Sequence, residues 1–180
     1  MVPIAKESHA PNPKVVAFTK KSESSMSSKP ESQLWYKLRD GTKDLGVFWT
    51  RLESWASPGV PDLHGIVNDH PFWLELKVHR LKSLKSITLR PHQIAWQTRY
   101  AMNGGSVYNL VHHPSSSTLN IYGGQRAMQI AGNGESWTPD WSCPTPYDWT
   151  GIINHILSSK SSLDNEKNLQ LSPLFEEEGR

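Results

Sequence analysis

Pro61-Asp62-Leu63-His64-Gly65-Ile66-Val67-Asn68-Asp69-His70-Pro71-Phe72-Trp73-Leu74-Glu75-Leu76-Lys77-Val78 is the stretch on which the reading of this chain turns. Two apolar runs, 60–67 and 72–78, flank the turn formers 68–71, which is the pattern of a β-hairpin. With the turn centred on Asp69-His70, Asp62 falls opposite Lys77 and His64 opposite Glu75. Side chains alternate along a strand, so these four share one face, and Leu63, Val67, Leu74, Leu76 and Val78 take the other. One side of the ribbon is apolar; the other carries two carboxylates and an amine. Charges within so apolar a strand are unfavourable unless their face meets solvent, an opposite charge or a metal.

Two readings follow from these residues alone. Carboxylates converging from neighbouring strands make an oxygen site suited to Mg²⁺, which keeps several waters and accepts phosphate oxygens. A lysine beside it can position or deprotonate an attacking water, or stabilise charge developing on a phosphate. The plainer reading is a half-exposed hairpin with an Asp62–Lys77 cross-strand ion pair, worth about 0.2–1 kcal/mol.

Outward from the hairpin, the pattern predicts one folded unit over 31–158, with a disordered arm at 1–30 rich in Ser, Lys and Pro and a disordered tail at 159–180 that includes Glu176-Glu177-Glu178. Leu34, Trp35 and Leu38 recur at helical spacing over 31–39, and Gly41 stands where a helix stops. A strand is expected over 47–52, closed by Ser57-Pro58-Gly59. Pro91 opens a second helix over 91–103, which Gly104-Gly105 ends. Strands follow over 106–111 and 118–122, then a loop over 132–147 and an amphipathic helix over 149–157. The expected order is α-β-β-β-α-β-β-α. No internal repeat is present.

Composition excludes several classes. A lone cysteine, Cys143, rules out an intramolecular disulfide and a multi-cysteine zinc site, so a bound metal would sit on oxygen or imidazole. No apolar run approaches the ~20 residues of a membrane span, and residues 1–30 lack a secretory signal's apolar core, so a soluble intracellular protein is expected. The formal net charge of +2 is small, but its placement is not even. Between Leu76 and Gly134 no Asp or Glu occurs, while Lys77, Arg80, Lys82, Lys85, Arg90, Arg99 and Arg126 all do. Such a stretch is either a solvated face or a phosphate-binding one.

Pro61-Asp62 followed by Glu75-Leu76-Lys77 resembles the PD-(D/E)XK nuclease signature. Arg51-Leu52-Glu53-Ser54-Trp55-Ala56-Ser57-Pro58-Gly59-Val60-Pro61-Asp62 is similar to the segment preceding the first acid in archaeal-type Holliday junction resolvases. Leu89-Arg90-Pro91-His92-Gln93-Ile94-Ala95-Trp96 resembles the helix of VRR-NUC nucleases whose glutamine lies near the catalytic lysine. The likeness spans about residues 31–113. It implies a restriction-endonuclease-like α/β core with a central mixed sheet flanked by helices, and a Mg²⁺- or Mn²⁺-dependent DNA endonuclease acting on branched or structured DNA, with a homodimer as the form that cuts two strands symmetrically. It further implies that Asp62, Glu75 and the Leu76 carbonyl hold the metal, that Lys77 serves the water and Gln93 orients it, and that Glu31 completes the shell, with Glu53 the rival acid. Arg51, Ser57, Arg80, Lys82, Lys85, Arg90 and Arg99 are then the DNA contacts. Arg90 departs from the serine or threonine expected before Pro91.

Rival readings stand beside these. A sequence-specific homing or restriction-type endonuclease, or an inactive DNA-binding module on the same fold, would share the pattern. Gln93 at the third helical position can cap the backbone, and Glu31 is a favourable acid at a helix start. His64 reads better as a packed histidine than as a ligand. The tryptophans Trp35, Trp49, Trp73 and Trp96 read as core or rim; Trp137, Trp141 and Trp149, around the expected loop, read as packing first and as base-stacking groups second.

Overall fold

In the computed structural model, residues 29–52, 58–80, 87–132 and 137–159 are described. The arm before residue 29, the tail after 159, and Glu53, Ser57, Lys82 and Lys85 lie outside them. Helix α1 (Pro30–Gly41) leads into strands β1 (Phe48–Arg51), β2 (Leu63–Val67) and β3 (His70–Val78), then α2 (Pro91–Met102), β4 (Val107–His113) and β5 (Thr118–Gly123). A 3₁₀ turn (Gly124–Arg126), a short helix α3 (Ala127–Ala131), strand β6 (Trp141–Pro144) and a final helix α4 (149–159) complete the chain.

The six strands of the described residues form one mixed sheet in the order β1-β2-β3-β4-β5-β6. Neighbours are antiparallel except β3 and β4, which run parallel. A parallel pair needs a crossover, and α2 supplies it. Apolar side chains of even-numbered β3 residues and odd-numbered β2 residues then meet α1 and α4: Leu63, Leu74, Leu76 and Leu110 pack with Leu34, Leu38, Ile152 and Ile156. The opposite face carries a second cluster of Ile87, Leu89, Val111, Tyr122, Ala127 and Ile130, with Ile94 of α2 against it. Two hydrogen bonds between buried amides lock α2 to this face: Gln97 Nε2 donates to Asn109 Oδ1 (3.1 Å) and Asn109 Nδ2 to Gln97 Oε1 (2.7 Å). Three of the four helices, five of the six strands and the face assignment agree with expectation.

Three expectations need correction. The hairpin turns on two residues, Asn68 and Asp69, with φ of 48° and 58°, so Val67 pairs with His70 and Leu63 with Leu74. Positive φ at both central positions matches the twist of the flanking strands. Asp62, one step beyond the last pair, therefore lies beside Glu75 rather than Lys77, and His64 faces Trp73 rather than Glu75. The slip is by two residues, and because the strand period is two, every side chain keeps its face. The 132–147 segment is not wholly loop: Trp141–Pro144 adds an edge strand to β5. The turn of helix at Ala127–Ala131 was not foreseen.

Gly65 tests this register. A Cβ there would lie 2.5 Å from Phe72 Cζ and 2.9 Å from Trp49. Gly65→Ala is expected to destabilise the fold by about 1–3 kcal/mol through overpacking, read by urea denaturation. An unchanged midpoint would be inconsistent with the Gly65–Phe72 pairing.

Candidate active site

Asp62 stands where the chain enters β2, fixed by the Leu52 N–H, which donates to its carbonyl (2.8 Å). Its side chain reaches across to β3, where Oδ2 accepts the Leu76 N–H at 3.0 Å. Glu75 and Lys77 project from the same face of β3, two residues apart. Lys77 Nζ lies 2.8 Å from Glu75 Oε1. Gln93, in the first turn of α2, bridges both: Nε2 donates to Glu75 Oε1 (2.6 Å) and Oε1 accepts from Lys77 Nζ (3.3 Å). The same Oε1 accepts the Arg90 N–H (3.0 Å), so the capping reading and the site reading of Gln93 are both realised. Arg90 makes no side-chain cap of its own; an arginine has no acceptor to offer.

A roof forms where the turn at Pro58-Gly59 meets α2. Gly59 has φ of +96°, and a Cβ on it would come within 2.4 Å of the His92 carbonyl oxygen, so only glycine allows this approach. The result is a cleft of about 810 Å³ whose walls include Asp62, Glu75, Leu76, Lys77 and Gln93. Glu31 and Ser32, from the first turn of α1, and Arg51, from the end of β1, close its other side. Arg51 Nη2 donates to Ser32 Oγ at 3.2 Å, tying α1 to the sheet edge at the mouth.

Burial and mutual repulsion dominate the electrostatics of the two carboxyls. Glu75 is 1% exposed; it does not lie on the open side of the ribbon as expected, because α2 covers that face. Burial pushes its carboxyl above the ordinary range, and the adjacent Asp62 charge pushes it further, against the pull of Lys77 and of the Asp62 N–H. Asp62 is likewise raised, by burial first and by Glu31 in addition, while the Leu76 N–H, Lys77 and Arg51 hold it down. Glu75 Oε1 has two partners, but Oε2 is buried with no hydrogen bond of good geometry. A buried carboxylate oxygen so poorly satisfied is costly.

Among the described residues, no three His, Cys, Asp or Glu side chains gather as a metal cluster. What gathers is two carboxylates with the Leu76 backbone between them, and a poorly satisfied oxygen on one. That donor set fits a hard cation that retains most of its waters.

Of the other expected contacts, Arg51 and Arg90 line the cleft. Arg80 and Arg99 do not. Arg80 lies at the end of β3 beside α1, in a separate cavity, and Arg99 borders an apolar groove with Ile94 and Met102 on the outer face of α2. Lys29 and His92, not singled out in the sequence, do line the cleft. His92 adjoins Gln93 and Lys29 precedes Pro30, so the helix starts were the available signal. His64 packs against Trp73 at 4.8 Å, away from a ligand role. Trp35 is buried, Trp49 meets it edge-on, and Trp96 stacks on Tyr100, which accords with the packing reading. Trp137, Trp141 and Trp149 also pack against the two cores.

No protein-family model matches the chain, and no curated protein matches it. Among solved structures it is similar to the Holliday junction resolvase Hjc of Archaeoglobus fulgidus, at 13% identity and a TM-score of 0.42, over 66% of this chain and 86% of that one. It is also similar to a VRR_NUC domain, at 22% identity and a TM-score of 0.37, over 45% of this chain and 82% of that one.

The raised carboxyls have a sign that can be tested. A group whose folded value lies above its unfolded value (about 4 for these side chains) adds stability below that pH and loses it as pH rises through the folded value. The metal-free protein should therefore weaken relative to Glu75→Gln as pH increases from about 4 towards neutrality. Melting temperatures in chelator across that range check this; at pH 7 the variant should melt higher than the wild type.

Proposed function

We propose that this protein is a divalent-metal-dependent DNA endonuclease that hydrolyses phosphodiester bonds in branched or otherwise structured DNA. The observation that carries the reading is the convergence of Asp62, Glu75, Lys77 and Gln93 in one cleft, with Glu75 Oε2 buried and without a hydrogen bond of good geometry. Two-carboxylate binding would use Glu75 Oε2, the Asp62 oxygen not engaged by Leu76, and the Leu76 carbonyl. Mg²⁺ or Mn²⁺ held there would supply Lewis acidity to a phosphoryl oxygen.

The remaining work falls to the chain's own groups. Lys77, held between Glu75 and Gln93, keeps an ammonium at the point where an attacking water and the phosphate meet, and stabilises the negative charge that grows as the P–O bond breaks. Gln93 fixes that ammonium's position and the Glu75 carboxylate's orientation together, so it is a positioning residue. Glu31 adds negative potential at Asp62, which favours a cation in the cleft. Arg51, Arg90 and Lys29, at the rim, suit the flanking phosphates, which fix register without reading sequence. The preference for branched DNA rests on the segment from Arg51 to Asp62, whose described ends, Arg51 and Pro58 to Asp62, border the same cleft.

Incubation of supercoiled plasmid, a synthetic four-way junction and matched linear duplex, each with Mg²⁺ or with chelator, tests this. Metal-dependent cutting of the junction is expected. Cutting at one sequence in every form would favour a restriction-type enzyme, and binding without cleavage in any metal would favour an inactive module. Lys77→Met should lower the rate by about 10²–10³-fold and Gln93→Ala by about 10–100-fold. Asp62→Ala should bind DNA without cutting; retained cleavage would exclude this site.

A further inference from the structure

A smaller cavity, of about 330 Å³, opens beside the first cleft. Gln33 and Lys37 of α1, Val78 and Arg80 at the end of β3, and His112 and Pro114 at the end of β4 line it. Because β3 and β4 are parallel, their carboxyl ends lie at one end of the sheet, the end at which ligands of open α/β sheets bind. The first turn of α1 separates the two hollows: Lys29, Glu31 and Ser32 border the carboxylate cleft, while Pro30, Gln33 and Lys37 border the second.

The second hollow is basic. Among the described residues no carboxylate lines it, and neither Lys37 nor Arg80 is ion-paired with an acid. His112 is held in place by the Tyr147 hydroxyl, 2.8 Å from Nε2. Its ring is pushed below the ordinary histidine range by burial and by the Lys37 charge, so the positive potential comes from Lys37 and Arg80. A solvated surface would carry two such charges at little cost. Their convergence on a concave wall with an anchored imidazole and no balancing acid is the pattern of an anion site.

We propose that this hollow binds a backbone phosphate of the same DNA strand whose scissile phosphodiester lies at Asp62, Glu75 and Lys77. The proposal rests on the nuclease reading and extends it. Lys77 lies in β3 and Arg80 just past its end, and the first turn of α1 borders both hollows, so one strand of DNA crossing that end of the sheet can reach the two. The bound phosphate is therefore a near neighbour of the scissile one on the same strand. Such a contact carries no sequence information; it sets which bond reaches the carboxylates.

Fluorescence anisotropy of the full-length protein with labelled junction DNA, in chelator over a range of salt, tests the site. Lys37→Gln/Arg80→Gln, and Lys37→Gln alone in case the double variant misfolds, are compared with the wild type. The slope of log K against log salt is expected to become shallower by about 0.9 for the one lost phosphate contact. A neutral methylphosphonate, moved one position at a time through the nucleotides flanking the cut, should weaken the wild type at one position and leave the double variant unaffected there. Equal slopes, or a methylphosphonate profile shared by both proteins, would overturn the proposal while leaving the nuclease reading intact. A wild type that binds no DNA would overturn both.

Discussion

Glu75 sits buried in a strand that is paired on both edges, with Gln93 of α2 over its own face. A carboxylate in that place is tolerated only if its surroundings answer it. They do so in part: Lys77 and Gln93 converge on one oxygen, and the other makes no hydrogen bond of good geometry. The arrangement around it follows from this demand. Gln93 must be at the start of α2, so α2 must begin where it does; Pro91 and the Arg90 N–H bonded to Gln93 Oε1 set that start. The Pro58-Gly59 turn can then approach α2 only without a side chain, and that turn delivers Asp62 to the partner strand. Burying two neighbouring carboxyls opposes folding wherever both are ionised.

Much of this was legible in the sequence because the hairpin's alternation is strong. Leu63, Val67, Phe72, Leu74 and Leu76 could not all be buried on any other parity, so the face of Asp62, Glu75 and Lys77 was fixed even though the pairing was misjudged by two residues. The misjudgement has a local cause. Asn68-Asp69 lacks the glycine that advertises a two-residue turn, and His70-Pro71 competes with it as turn formers; the backbone instead places two non-glycine residues at positive φ.

What escaped the sequence was what depends on distant packing. β6 is four residues long, ends in a proline and lies among glycines and prolines; it is a strand because Leu119 and Cys143 pair across a sheet edge. α3 has five residues, too few for a periodic signal. The basic stretch read as one surface divides in space: Arg90 joins the cleft, Arg80 turns to α1, and Arg99 to the outside of α2. Helix and strand parity separate them, and no charge count along the chain could have done so.

The reciprocal amide clasp between Gln97 and Asn109 bears on how such a chain can diverge. Each side chain both gives and receives, with neither exposed. A change of either letter alone strands a polar group in oil, whereas joint replacement by aliphatic residues of matching volume need not. The two positions are thus a single hereditary unit: descendants should keep both amides or lose both together, and a redesign that treats them separately will loosen the helix that seats Gln93.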